Sequence, residues 1–184
     1  MKLALVGLLL FSVLAPELPQ FAGKAMTARA LTYPLAALAV PVLWWFRGRA
    51  RPYPHLVDLL VVLPFVIDLA GNALDLYVTT WFDGVAHFLN WALLVAAVGV
   101  FLGTTGLRRL IVWGLAVGFG ASTHIVWEIV EYGVMALGSS GLSLTYEDTI
   151  ADLALSFGGS LAGATASVTL LWPRTGSGPR PRHS

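Results

Sequence analysis

Residues 81–103 read WFDGVAHFLNWALLVAAVGVFLG. From Leu93 to Gly103 the run contains no polar residue, while its first half carries Asp83, His87 and Asn90 at spacings of four and three. Those spacings place the three on one helical stripe. At about 1.5 Å of rise per residue the run is long enough to cross a hydrocarbon core of about 30 Å. An ionisable stripe inside such a run is costly, so it marks a functional position by default.

The rest of the chain repeats the pattern. Of 184 residues, 57% are hydrophobic and 11% charged, and mean hydropathy is +0.77. A soluble domain carries about 25% charged residues, and a chain this apolar would not stay solvated as a disordered one. Further apolar runs occupy Leu3 to Ala15, Ala30 to Phe46, Leu56 to about Thr79, Leu110 to Leu137 and Ile150 to Trp172. The expected fold is all-α, a polytopic transmembrane helical bundle of about six spans. Residues 1–172 form one integral membrane domain, and residues 173–184, rich in Pro, Gly, Ser and Arg, form a flexible basic tail. The first run is short, and Lys2 followed by such a run also describes a signal peptide. Pro16, after the small residue that would precede a cut, favours a retained short helix. Either way the other five spans keep their orientation.

Charge placement sets the topology. With a cytoplasmic N-terminus, the inner face holds Lys2, Arg47, Arg49, Arg51, Arg108, Arg109, Arg174, Arg180 and Arg182, and the outer face Lys24 and Arg29. This is the positive-inside bias of a plasma (inner) membrane protein with both termini cytoplasmic. Absence of Cys excludes disulfides, iron–sulfur clusters, thiolate zinc sites and Cys nucleophiles. No glycine-rich phosphate loop is present, and a net charge of +1 gives no reason to expect nucleic acid as a partner. Gly99 and Gly103, Gly114 and Gly118, and Gly159 and Gly163 are each four apart, and such pairs let helix backbones approach closely.

The other spans carry polar trios at the same spacing. These are Asp68, Asn72 and Asp75 in the third and His124, Glu128 and Glu131 in the fifth, while the sixth opens with Asp148 and Asp152. Counting rise from each span's start puts Asp68, Asn72, His87, His124 and Asp152 within roughly 12 Å of the outer boundary, with Glu128 near the boundary itself. Helices running in alternating directions thus bring their polar residues to one layer. The expectation is an outward-facing pocket of Asp68, Asn72, Asp83, His87, Asn90, His124, Glu128, Glu131, Asp148 and Asp152. Within it His87, His124, Glu128 and Asp152 are the candidate catalytic or metal-holding residues. Two His with carboxylates suit a divalent metal ion such as zinc or manganese. The same set serves acid/base chemistry or a proton or cation path. Blander roles stand beside these. A lone His is often a hydrogen-bonded packing residue, Asp83 and Asp148 suit helix N-caps, and Asn72 and Asn90 suit interhelical hydrogen bonds.

Asp83-Gly-Val-Ala-His87-Phe88 resembles the Asp-x-x-x-His-Phe motif of VanZ-like membrane proteins. Glu128-Ile-Val-Glu131, Asp148-Thr149-Ile-Ala-Asp152 and Gly158-Gly159 resemble their second half. The form Tyr146-Glu-Asp148-Thr149-x-x-Asp152-Leu is closer to the YjdF-like family of inner-membrane proteins. VanZ-like proteins typically have Gln where this chain has Glu131 and Asn where it has Ser156, which favours the YjdF-like likeness. The resemblance spans roughly residues 55 to 165. It implies a multi-pass plasma-membrane protein without a settled activity, and the VanZ-like association with glycopeptide resistance points to the cell envelope. Three functions fit: a hydrolase or transferase acting on a lipid or lipid-linked envelope precursor, a transporter, and a non-enzymatic protein that binds a ligand or cation.

Overall fold

The computed structural model describes residues 1–49, 52–138 and 145–173. The tail expected over 173–184, with Arg174, Arg180 and Arg182, lies outside the described residues beyond Pro173, as does Arg51. Among the described residues there are six α-helices and no strand. They are α1 (Lys2–Leu14), α2 (Met26–Phe46), α3 (His55–Ala73), α4 (Phe82–Gly103), α5 (Arg109–Ala136) and α6 (Tyr146–Thr169), with a 3-10 turn at Leu76–Val78 after α3.

Four helices, α2 to α5, are long and apolar enough to cross a membrane by length and composition. α1 has 13 residues. α6 has 24 but opens with Glu147, Asp148 and Asp152 and continues through Ser156, Ser160 and Ser167. These serines are buried inside the bundle, so α6 spends its polar residues on its neighbours rather than on the surface. Large apolar side chains, among them Leu31, Leu110, Ile129 and Val130, point outward, as lipid requires.

The third span ends sooner than its apolar run suggests. The α3 helix stops at Ala73, and Asp75 has φ +55°. Asp75 therefore leaves the stripe that Asp68 and Asn72 share. The caps also differ from the expected ones. Trp81 is the N-cap of α4, with Asp83 in the first turn. The α6 helix is capped by Thr145, whose Oγ1 accepts the Asp148 backbone N–H at 3.2 Å.

Apolar residues do not drive association within lipid, so close packing and hydrogen bonds must. The α4–α6 pair is the most extensive in the bundle. A Cβ at Gly159 or Gly163 would overlap the carbonyl oxygens of Phe88 and Ala92 respectively. Residues 88 and 92 thus face 159 and 163, so the two helices run parallel. The α5 helix returns antiparallel between them, with Trp113 Nε1 donating to Thr165 Oγ1 at 3.1 Å and Gly120 against Ser160. Gly114 and Gly118 meet nothing within 4 Å, so that pair makes no helix contact here. α1 to α3 form the other half, around Leu5, Leu9, Tyr33, Val62 and Leu69. Lys2 Nζ lies 2.9 Å from Asp58 Oδ1, tying the start of α1 to the start of α3.

This alternation gives the bundle two unlike ends. Lys2, Arg47, Arg49, Arg108 and Arg109 fall at one, where α2 and α4 finish and α3 and α5 begin. Asp83, Glu131, Asp148 and Asp152 fall at the other.

Candidate functional site

At the acidic end a cavity of about 450 Å³ opens between α2, α3, α4, α5 and α6. Asp68, Asn72, Asp83, His87, Asn90, Glu131, Asp148 and Asp152 all line it. Glu128 reaches the cluster through His87: His87, Glu128 and Glu131 can offer ligand atoms that lie within 4.8 Å of one another. The same holds for Asp83, His87 and Asp152. His87 belongs to both groups, so one imidazole is surrounded by four carboxylates from three helices.

His87 is placed by the α4–α6 register. Its Nδ1 lies 3.1 Å from Ser156 Oγ, and Ser156 is 1% exposed. Its Nε2 faces Asp152 Oδ1 at 3.7 Å and Asp83 Oδ1 at 4.0 Å. Those two separations are too long for hydrogen bonds. They approach the spacing of about 3.4 Å between two ligands held about 2.1 Å from a tetrahedral ion. The Asp83 side chain is 40% exposed and that of Asp152 8%, so one carboxylate meets the cavity and the other is enclosed. Glu128 is 7% exposed, and its Oε2 is buried without a hydrogen-bond partner, as is Asn90 Oδ1.

His124 is placed elsewhere. It packs edge-on against Trp91, with ring centroids 5.7 Å apart. It does not line the cavity and belongs to neither ligand group. Its Nδ1 is buried without a hydrogen-bond partner.

Asp68 lines the cavity but is fully engaged. Its Oδ2 accepts from Tyr33 Oη at 2.7 Å and forms an ion pair with Arg29, and its Oδ1 accepts from Tyr77 Oη at 2.9 Å. Arg29 also donates to Tyr33 Oη at 2.8 Å and to the Lys24 carbonyl at 3.1 Å. Burial and the adjacent Asp68 carboxylate push the Tyr77 phenol well above its ordinary value, so it stays a donor. Asn72 Nδ2 donates to the Asp68 carbonyl at 2.9 Å. This knot joins α2, α3 and the 3-10 turn and forms one wall of the cavity.

Arg29, Tyr33, Tyr77 and Ser156 were not among the residues expected from sequence. Two of them left a signal: Tyr33 follows Arg29 by four, and Ser156 follows Asp152 by four, each on one helical stripe.

Neither the curated proteins nor the solved structures hold a match to this chain. The VanZ-like likeness of the Asp83–Phe88 stretch is therefore not carried by any of the comparisons. The YjdF-like likeness is, because YjdF-like proteins are the DUF2238 family. The model of that family, described as a predicted membrane protein, matches residues 1–172, and the chain belongs to it.

Proposed function

We propose that the chain is a membrane-embedded hydrolase or transferase whose centre holds a divalent cation on His87, Asp83, Asp152, Glu128 and Glu131. Its substrate is the polar part of a lipid or lipid-linked envelope precursor. The observation that carries this reading is the convergence of four carboxylates on one imidazole, with Nε2 and not Nδ1 facing Asp83 and Asp152. Ser156 Oγ can accept the Nδ1 proton, which leaves the Nε2 lone pair directed at the carboxylates. Metal-ligating His residues are held in this way by a partner on their other nitrogen. Four carboxylates gathered in a low-dielectric site can all stay ionised only with positive charge nearby. Arg29 is engaged by Asp68, and Lys24 sits over the Tyr77 ring.

A divalent ion would supply Lewis-acid polarisation of a substrate carbonyl or phosphoryl oxygen. Asn90 also lines the cavity, and its amide is a polar group beside the proposed centre. The positive-inside bias supports a cytoplasmic basic end, with this site in the outer half of a plasma membrane. An ion-carrier reading has less support, because the cavity at the basic end is a separate one whose lining, among the described residues, holds no carboxylate.

Metal analysis of the purified full chain tests the proposal. The expected result is about one equivalent of zinc or manganese, lost in His87→Ala and Asp152→Asn and kept in His124→Ala. A wild-type protein that takes up neither metal overturns it.

A further inference from the structure

A second cavity, about 850 Å³, lies at the basic end between α2, α3, α4 and α5 and shares no lining residue with the first. Its walls are apolar, among them Ala39, Leu43, Val57, Val61, Ala97 and Phe119. Among the described residues its polar lining is Arg47, Thr104, Thr105 and the Trp44 indole, all towards the basic end. The two threonine hydroxyls donate to the Phe101 and Leu102 carbonyls at 2.7 and 2.6 Å, and among the described residues Arg47 is the charged group of the lining. Its guanidinium is steered over the mouth by the Phe101 ring, 4.5 Å from the centroid. Among the described residues no acidic side chain lines the cavity, and Asp58 of the same end is paired with Lys2. From Arg47 to Ala39 the groove follows α2 for about 12 Å, most of one leaflet's share of a core of about 30 Å.

A concave apolar slot with positive charge at one rim fits an amphiphile in a single orientation. We propose that this groove holds an acyl chain of an anionic phospholipid from the surrounding bilayer, with its phosphate on the Arg47 guanidinium. Arginine matches phosphate geometry through paired N–H donors, and the aliphatic walls replace contacts the chain would make with neighbouring lipids. The site is separate from the His87 cluster, so it stands whether or not that cluster holds a metal.

Native mass spectrometry of the full chain, released from detergent and titrated with phosphatidylglycerol or phosphatidylethanolamine of matched chain length, tests this. A cation near the membrane surface favours an anionic headgroup by roughly fivefold, and wild type should show that preference. Arg47→Gln should abolish it, while Arg49→Gln, outside the lining, should keep it. Val98→Trp, which fills the apolar part of the groove, should weaken binding of both lipids. Equal binding of the two lipids by wild type overturns the proposal. So does a preference that survives Arg47→Gln or is lost equally in Arg49→Gln, or a dimer of the chain formed in place of lipid adducts.

Discussion

Replacing Ser156 by Ala tests the His87 centre at its most sensitive point. Ser156 is 1% exposed and its Oγ lies 3.1 Å from His87 Nδ1, so the change removes a single buried hydroxyl and leaves the backbone and every proposed ligand in place. With the hydroxyl gone, Nδ1 faces a methyl group. A buried N–H without a partner costs about 1–3 kcal/mol, so the imidazole shifts towards the tautomer that carries its proton on Nε2, or rotates. Both outcomes withdraw the lone pair from Asp83 and Asp152. Loss of such an orienting partner lowers metal affinity about 10–100-fold, and at about 1.4 kcal/mol per tenfold that agrees with the cost of the orphaned donor. The assay is zinc competition against a chromophoric chelator, with Ser160→Ala as control. Ser160 lies one turn further along α6, is equally buried, and donates to the Ser156 carbonyl at 2.8 Å, so its loss removes a buried hydroxyl from the same helix without touching His87. Equal affinities in the two variants would refute the reasoning.

Further outcomes follow from the same geometry. Chelator should lower the thermal midpoint of wild type in detergent and leave His87→Ala unchanged; an ion present at a hundredfold its dissociation constant stabilises by about 2.7 kcal/mol. Asp68→Asn should destabilise strongly, because removing one partner of a buried ion pair costs about 3–5 kcal/mol, and Arg29→Gln added to it should restore part of the loss; a double variant no more stable than the single would count against the knot. Gly163→Ala should cost about 1–3 kcal/mol by overpacking α6 on α4, read as a fall in thermal midpoint, whereas Gly114→Ala, which meets open space, should not lower it.

Position along a helix axis is legible in the sequence, and azimuth much less so. Helix positions follow from apolar runs, and rise per residue places Asp68, Asn72, His87 and Asp152 in one layer, where they line one cavity. What counting cannot supply is the direction in which each side chain turns once neighbours are present. His124 and Glu128 are four apart on α5, yet Glu128 joins His87 while His124 turns to Trp91. Arg29 reads from sequence as an outer-face marker, because its partner Asp68 is 39 residues away on another helix. Asp75 fits the stripe of Asp68 and Asn72 by spacing, and only the left-handed backbone after Ala73 removes it. Of the three glycine pairs, the pattern is identical in all, but Gly114 and Gly118 find no helix to approach.

The least apolar helix is the one that builds the site. On its own α6 is a poor span, since its first turns carry three acids and its buried face carries serines. It is tolerable in lipid only if α4 and α5 cover that face, and Gly159 and Gly163 permit this by letting α6 settle on the Phe88 and Ala92 carbonyls. The same contact fixes the register that sets Asp152 and Ser156 opposite Asp83 and His87, one helical turn nearer the acidic end. Packing and chemistry are therefore one device. A bulky residue at Gly159 should lower metal affinity together with stability, although it touches none of the ligands, because it lifts α6 away from His87. A variant that kept full metal affinity with α6 displaced would separate the two and show that α4 and α5 alone, through His87, Glu128 and Glu131, suffice to hold the ion.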